Sequence, residues 1–151
     1  MNLITILEEN KKKQQRKNWY PYLLSQQMML EHNFQWLTVS INPKKKALEG
    51  NGTIIISGKS YRINILYSPF FPFRYDRVFI TNQKIEYNDD IHLYGDLSLC
   101  LYHPVKDVPI LQNIPLYKII PWISEWIVFY EQWKIYGVWL GKEIKHRRIP
   151  I

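Results

Sequence analysis

Between Trp36 and Tyr67 the chain changes from one side chain to the next with a period of two, and this constrains its fold more than any other feature. Leu37, Val39 and Ile41 alternate with Thr38 and Ser40, which predicts a half-buried strand over 36–41. A second strand is expected over Thr53–Ser57, after Gly50-Asn51-Gly52. A third follows over Tyr61–Tyr67, where Tyr61, Ile63, Ile65 and Tyr67 share one face. Gly58-Lys59-Ser60 reads as the tight turn between them, and short turns force neighbouring strands to run antiparallel. Pro69 and Pro72 stop the ladder because proline has no N–H to donate, and Arg77–Thr81 reads as a short fourth strand.

Helical periodicity flanks this meander. Leu23, Leu24, Met28 and Leu30 recur at near-helical spacing up to about His32. Near the other end, Ile119, Ile123, Trp126, Tyr130 and Trp133 follow a four-three rhythm widened by Trp122 and Phe129. Pro121 is expected near the first turn of that helix and Gly137 at its end. Residues 3–17 are helix-compatible and carry Lys11, Lys12, Lys13, Arg16 and Lys17, a solvated face or a docking surface for an acidic partner. From Asn82 to Asn113 no period is sustained, yet apolar side chains continue. A loop of that length in a compact domain is usually functional or disordered, and the apolar residues argue against disorder. The fold class is therefore α+β: an N-terminal helix, a four-stranded antiparallel meander, a long active-site segment and C-terminal helices. The expected division is a basic, helical segment over 1–18, one domain over 19–146 and a basic tail over 147–151.

The chain of 151 residues is 46% hydrophobic, enough to build one core, and its charge of +7 favours acidic partners without naming one. A single cysteine excludes an internal disulfide and a cysteine-rich zinc site, and points to a reducing cytosol. The opening stretch turns polar by Glu8 and lacks the apolar core of a secretory signal. The most apolar run, Tyr117–Tyr130, is interrupted by Lys118, Pro121, Ser124 and Glu125, so no membrane span is expected. Four scattered histidines offer no ligand pair, and no metal or cofactor is expected. Nucleic-acid binding would rest on charge and aromatic content alone, and ranks last.

That cysteine, Cys100, is the residue with chemistry to offer. Leu99-Cys100-Leu101 is compatible with a small buried hydrophobe. Its place after a Gly95-Asp96 turn, inside the irregular segment, is also compatible with an exposed nucleophile. A papain-like protease would need a helix to begin at the cysteine, and Leu101-Tyr102-His103-Pro104 argues against one.

The order of elements, with Phe71-Pro72-Phe73 after strand three and Gly95, Leu99, Cys100 and Leu101 around the thiol, resembles ubiquitin-conjugating enzymes. The resemblance is closer to stand-alone bacterial members found in anti-phage islands of the CBASS type. Their His-x-Tyr-x-Asp-x-x-Leu-Cys-Leu-Tyr run is matched by His92, Tyr94, Asp96, Leu99, Cys100, Leu101 and Tyr102. Their tryptophan-rich tail is matched by Trp122, Glu125, Trp126, Tyr130, Glu131, Trp133, Gly137, Trp139, Gly141 and Glu143. The likeness spans about residues 19–146.

This resemblance implies a cytoplasmic cysteine acyltransferase with a UBC-like fold. Cys100 would form a thioester with the C-terminus of a ubiquitin-like modifier or of a cGAS-like nucleotidyltransferase, with an activating enzyme as an optional further partner. The His-Pro-Asn tripeptide of the eukaryotic enzymes falls on Asp90-Ile91-His92, so His92 takes the slot of the Asn linked to oxyanion stabilisation. His92 could donate there or brace the loop. His103 and Asp107 are further candidates for proton transfer, and Tyr102 for packing or lining the groove. His32 and His146 get no role. The reading needs the sulfur open at the mouth of a shallow groove beside His92. The alternative is a catalytically silent relative that binds a ubiquitin-like or acidic partner as an adaptor.

Overall fold

The structure is a computed structural model that describes residues 3–102 and 114–141. Two helices open the chain, α1 (Leu3–Lys17) and α2 (Trp19–Asn33). Four strands follow: β1 (Leu37–Asn42), β2 (Ala47–Ile56), β3 (Lys59–Tyr67) and β4 (Asp76–Ile80). After a 3-10 turn at Asp89–Ile91 comes α3 (Leu116–Tyr136). The sheet is antiparallel in the order β1-β2-β3-β4. An α+β architecture with helices before and after a four-stranded meander is thus observed. Among the described residues one helix follows the sheet, where several were expected.

Alternation sets the buried face. Leu37 and Val39 of β1, Tyr61, Ile63, Ile65 and Tyr67 of β3, and Val78 of β4 all point into the core. Leu23 and Leu30 of α2 and Ile119, Ile123, Trp126 and Tyr130 of α3 cover them. Ile120 and Ile127 are also buried, so the core stripe of α3 is broader than its spacing suggested. Leu24 and Met28 instead face outward from α2.

Two strand ends differ from the sequence expectation. Ile56 pairs with Lys59, which leaves Ser57 and Gly58 as a two-residue turn with φ of 53° and 76°. That is the left-handed pair a tight hairpin needs, and Lys59 and Ser60 are already in β3. Strand β2 begins at Ala47, so Gly50 and Gly52 lie inside a strand rather than in a turn. A Cβ on Gly52 would sit 2.6 Å from both the carbonyl oxygen and the ring of Trp36, which closes over it. Gly52→Ala is expected to destabilise the fold by about 1–3 kcal/mol, measured as a lowered urea midpoint.

Pro121 is also deeper than expected. Helix α3 starts at Leu116, which puts the proline inside the helix, where its ring removes a main-chain hydrogen bond. Gly137 does end the helix, with φ of 72° and its N–H donating to the Trp133 carbonyl at 2.7 Å. Helix α1 forms as expected but buries no residue. It is tied down by polar contacts: Tyr75 Oη donates to Gln15 Oε1 at 2.5 Å, and Arg16 Nε to the Pro69 carbonyl at 2.9 Å.

Candidate active site around Cys100

The segment after β4 builds a small hairpin against the sheet. Asn88 accepts from the Asp90 N–H at 2.8 Å and starts the 3-10 turn. His92, at φ 55°, then redirects the chain. Leu93 bridges Leu99, the Tyr94 N–H donates to the Ser98 carbonyl, and the Cys100 N–H donates to the His92 carbonyl, both at 2.9 Å. The Leu99 N–H donates to the Val78 carbonyl at 2.8 Å, so the hairpin covers the free edge of β4. With a two-residue alternation, His92, Tyr94, Ser98 and Cys100 fall on one face of this hairpin, and Leu93 and Leu99 on the other.

The hairpin tip is strained at one point. Leu97 closes a turn onto the Tyr94 carbonyl at 2.9 Å with φ of 72°, a conformation that suits glycine. Leu97→Gly should therefore stabilise the protein by up to about 1 kcal/mol, where most Leu→Gly changes are harmful. A thermal melt reads the sign.

Charge gathers on the Cys100 side. The Arg74 guanidinium lies 3.2 Å from the centroid of the Tyr94 ring and hydrogen-bonds the Ser98 hydroxyl. Asp96 stands 3.9 Å from Arg74 Nη2 and 3.7 Å from Arg77 Nε, and accepts from the Ser98 N–H and hydroxyl. Partial burial pushes the Asp96 carboxyl up, but the Ser98 hydrogen bonds and the two arginines outweigh it and hold the pKa below the usual carboxylate range. Asp76, buried at the start of β4, accepts from Tyr102 Oη at 2.5 Å.

The sulfur itself is covered. Cys100 is 3% exposed, so the open thiol required by the sequence reading is not what the structure holds. Its surroundings include polar groups, however: the thiol donates to the Tyr102 carbonyl at 3.5 Å, and the Tyr94 phenol and the Arg74 charge both act on the sulfur. Burial pushes the thiol pKa up to about 12, while the Tyr94 hydroxyl and the Arg74 charge pull the other way. At pH 8 the thiolate fraction falls about a thousandfold below that of a free cysteine, and greater thiolate nucleophilicity returns part of this. Iodoacetamide should therefore label Cys100 about 10²-fold more slowly than free cysteine at pH 8, and no faster on account of local charge. Mass spectrometry against a cysteine peptide gives the ratio.

The other expected residues are placed as follows. His92 is buried, with its ring stacked on Trp139 at 4.8 Å and 13°. Its carbonyl accepts from both the Cys100 N–H and Trp126 Nε1, the latter at 3.1 Å. Tyr102 is buried, engaged with Asp76 and tilted against Trp122. His103, Asp107 and His146 lie outside the described residues. His32 is exposed on α2, away from this cluster in the chain. Arg74, Asp76 and Tyr94 were not singled out from the sequence as site residues. Tyr94 could have been, because it alternates with Cys100 across the Gly95-Asp96 turn. Among the described residues no group of three or more His, Cys, Asp or Glu could hold a metal ion, and no helix is long and apolar enough to cross a membrane.

Fold and site together define an α+β domain that presents one cysteine on a hairpin beside a sheet edge. The chain belongs to the family described as Type II CBASS E2 protein, whose model matches residues 26–147. An E2-like role in CBASS antiviral defence follows from that membership. The match takes in the sheet, the Cys100 hairpin and α3, and leaves α1 outside. No curated protein matches the chain.

Proposed function

We propose that this protein is a ubiquitin-conjugating-like acyltransferase in which Cys100 forms a thioester. The acyl group would come from the C-terminus of a ubiquitin-like modifier or of a cGAS-like nucleotidyltransferase. The observation that carries the reading is the family match together with the position of the chain's one cysteine on the covered hairpin. A thioester splits one acyl transfer into two easier steps, and sulfur is the side-chain atom here best suited to it.

The closed thiol sets a condition on this chemistry. A bound acyl tail has to open the cover, and opening removes burial, the largest cause of the raised pKa. Arg74 and Tyr94 then act on a solvated sulfur and favour its thiolate. In this state the protein is protected from adventitious alkylation and oxidation until a partner arrives. His92 enters the reading through its carbonyl, which fixes the Cys100 backbone. A role for its imidazole at the oxyanion requires the ring to leave Trp139. His103 and Asp107 are retained as candidates for handling the proton of the incoming nucleophile.

The test is direct. Incubated with the activated partner, the full chain should form an adduct that a thiol reductant cleaves and that Cys100→Ala lacks. An adduct that survives Cys100→Ala would end the acyltransferase reading. The adaptor reading is favoured by one observation, the covered thiol, and it makes the opposite prediction: Cys100→Ala leaves partner binding and defence intact.

A further inference from the structure

The reaction just proposed needs a donor for the negative charge that passes from sulfur to oxygen. His92, the residue in the expected slot, has its ring on Trp139. Tyr102 meets the sulfur through its carbonyl, and its hydroxyl donates to Asp76 Oδ1 at 2.5 Å. Tyr94 remains. The hairpin register puts it on the same face as Cys100, diagonally across the pair closed by the His92 and Ser98 carbonyls. Its phenol interacts electrostatically with Cys100, and its ring is clamped by the Arg74 guanidinium 3.2 Å from the centroid. Arg74 is held in turn by the Ser98 hydroxyl and by Asp96. The donor is therefore fixed before any substrate arrives, which is what makes an electrostatic catalyst effective.

We propose that Tyr94 is a catalytic residue, donating its phenolic hydrogen first to the Cys100 thiolate and then to the oxyanion of the tetrahedral intermediate, with Arg74 as the positioning residue. The proposal rests on the reading of Cys100 as the acyl acceptor. When the donor is itself a thioester, the Cys100 thiolate attacks the carbonyl carbon and a carbon–sulfur bond forms. The π pair moves to oxygen, within reach of the Tyr94 hydroxyl. Collapse restores the carbonyl and expels the donor's thiolate with its electron pair. Tyr94 keeps its proton throughout. Burial holds its pKa above the usual phenol range, so the hydroxyl stays a donor at neutral pH.

The probe is a peptide carrying a C-terminal mercaptoethanesulfonate thioester, offered to the full chain and followed by intact mass in single turnover. Tyr94→Phe keeps the ring beneath Arg74 and removes the hydroxyl. It should slow acylation of Cys100 about 10²-fold at saturating peptide, with little change in the half-saturating concentration. Arg74→Lys should give a smaller loss. Iodoacetamide alkylation, which creates no oxyanion, separates the two contacts: Tyr94→Phe should slow it less than it slows acylation. Acylation of folded Tyr94→Phe within twofold of wild type overturns the proposal and leaves Cys100 as acceptor. Absence of an adduct on wild-type Cys100 overturns the acyltransferase reading and this proposal with it. Should Tyr94→Phe fail to fold, 3,5-difluorotyrosine at position 94 keeps the shape and strengthens the donor. Faster acylation supports the assignment, and an unchanged or slower rate overturns it.

Discussion

Trp126→Ala is expected to lower stability by about 3–5 kcal/mol and to uncouple the Cys100 hairpin from the core. Trp126 is buried on α3, with its ring 5.1 Å from Tyr130 at 16° and 5.6 Å from Trp139 at 57°. Its Nε1 donates to the His92 carbonyl at 3.1 Å, the same oxygen that receives the Cys100 N–H. Truncation therefore leaves a cavity, frees Trp139 from one neighbour and deprives the His92 carbonyl of a buried donor. Trp126→Phe divides these effects, because it keeps most of the packing and loses only the N–H. A loss of about 1–2 kcal/mol is expected for Phe, with faster alkylation of Cys100 as the hairpin opens more often. Urea titration gives the stabilities, and iodoacetamide labelling the opening. Equal labelling rates in wild type and Trp126→Phe would show that α3 does not hold the hairpin shut.

This link between α3 and the cysteine was only partly legible in the sequence. The four-three rhythm of Ile119, Ile123, Trp126 and Tyr130 identified the buried face, and alternation from Tyr61 to Tyr67 identified β3, because both depend on local geometry. The start of β2 was hidden. Gly50-Asn51-Gly52 has turn chemistry, but Gly52 is there to admit Trp36, a tertiary contact that no local rule shows. Helix α1 misleads in another way. Its half-buried positions include Thr5, Glu8, Lys11 and Gln15, while Leu3, Ile4, Ile6 and Leu7 are exposed, so its hydrophobic pattern does not reveal its docked face. At the site, Cys100 was visible because it is the chain's one cysteine. Arg74 and Asp76 were not, because the β3–β4 connection and the start of β4 bring them to the hairpin from far upstream. The covering of the thiol was equally hidden, since burial is a property of the assembled core and not of Leu99-Cys100-Leu101.

Asp76 gives a pH signature to the same cluster. Burial raises its carboxyl pKa, and the Tyr102 hydrogen bond with the charges of Arg74 and Arg77 opposes that shift. A carboxyl whose folded pKa lies above its unfolded value of about 3.9 contributes stability fully present below that value. The contribution is lost as pH rises through the folded pKa. Asn at this position carries no charge, and its amide oxygen can still accept from Tyr102 Oη. Asp76→Asn should therefore exceed wild type in stability at pH 7, with the gap closing as pH falls toward about 4. Asp96, whose pKa is held low, gives the opposite pH trend, but it is common to both proteins and cancels in the difference. A gap that stays constant, or widens in acid, would show that Asp76 is not strained by its charge. The substitution also reaches the sulfur, because the Asp76 carboxylate adds to the upward push on the Cys100 thiol. Asp76→Asn should thus speed iodoacetamide labelling at pH 8 while tightening the fold, whereas a general loosening would speed labelling and lower stability together.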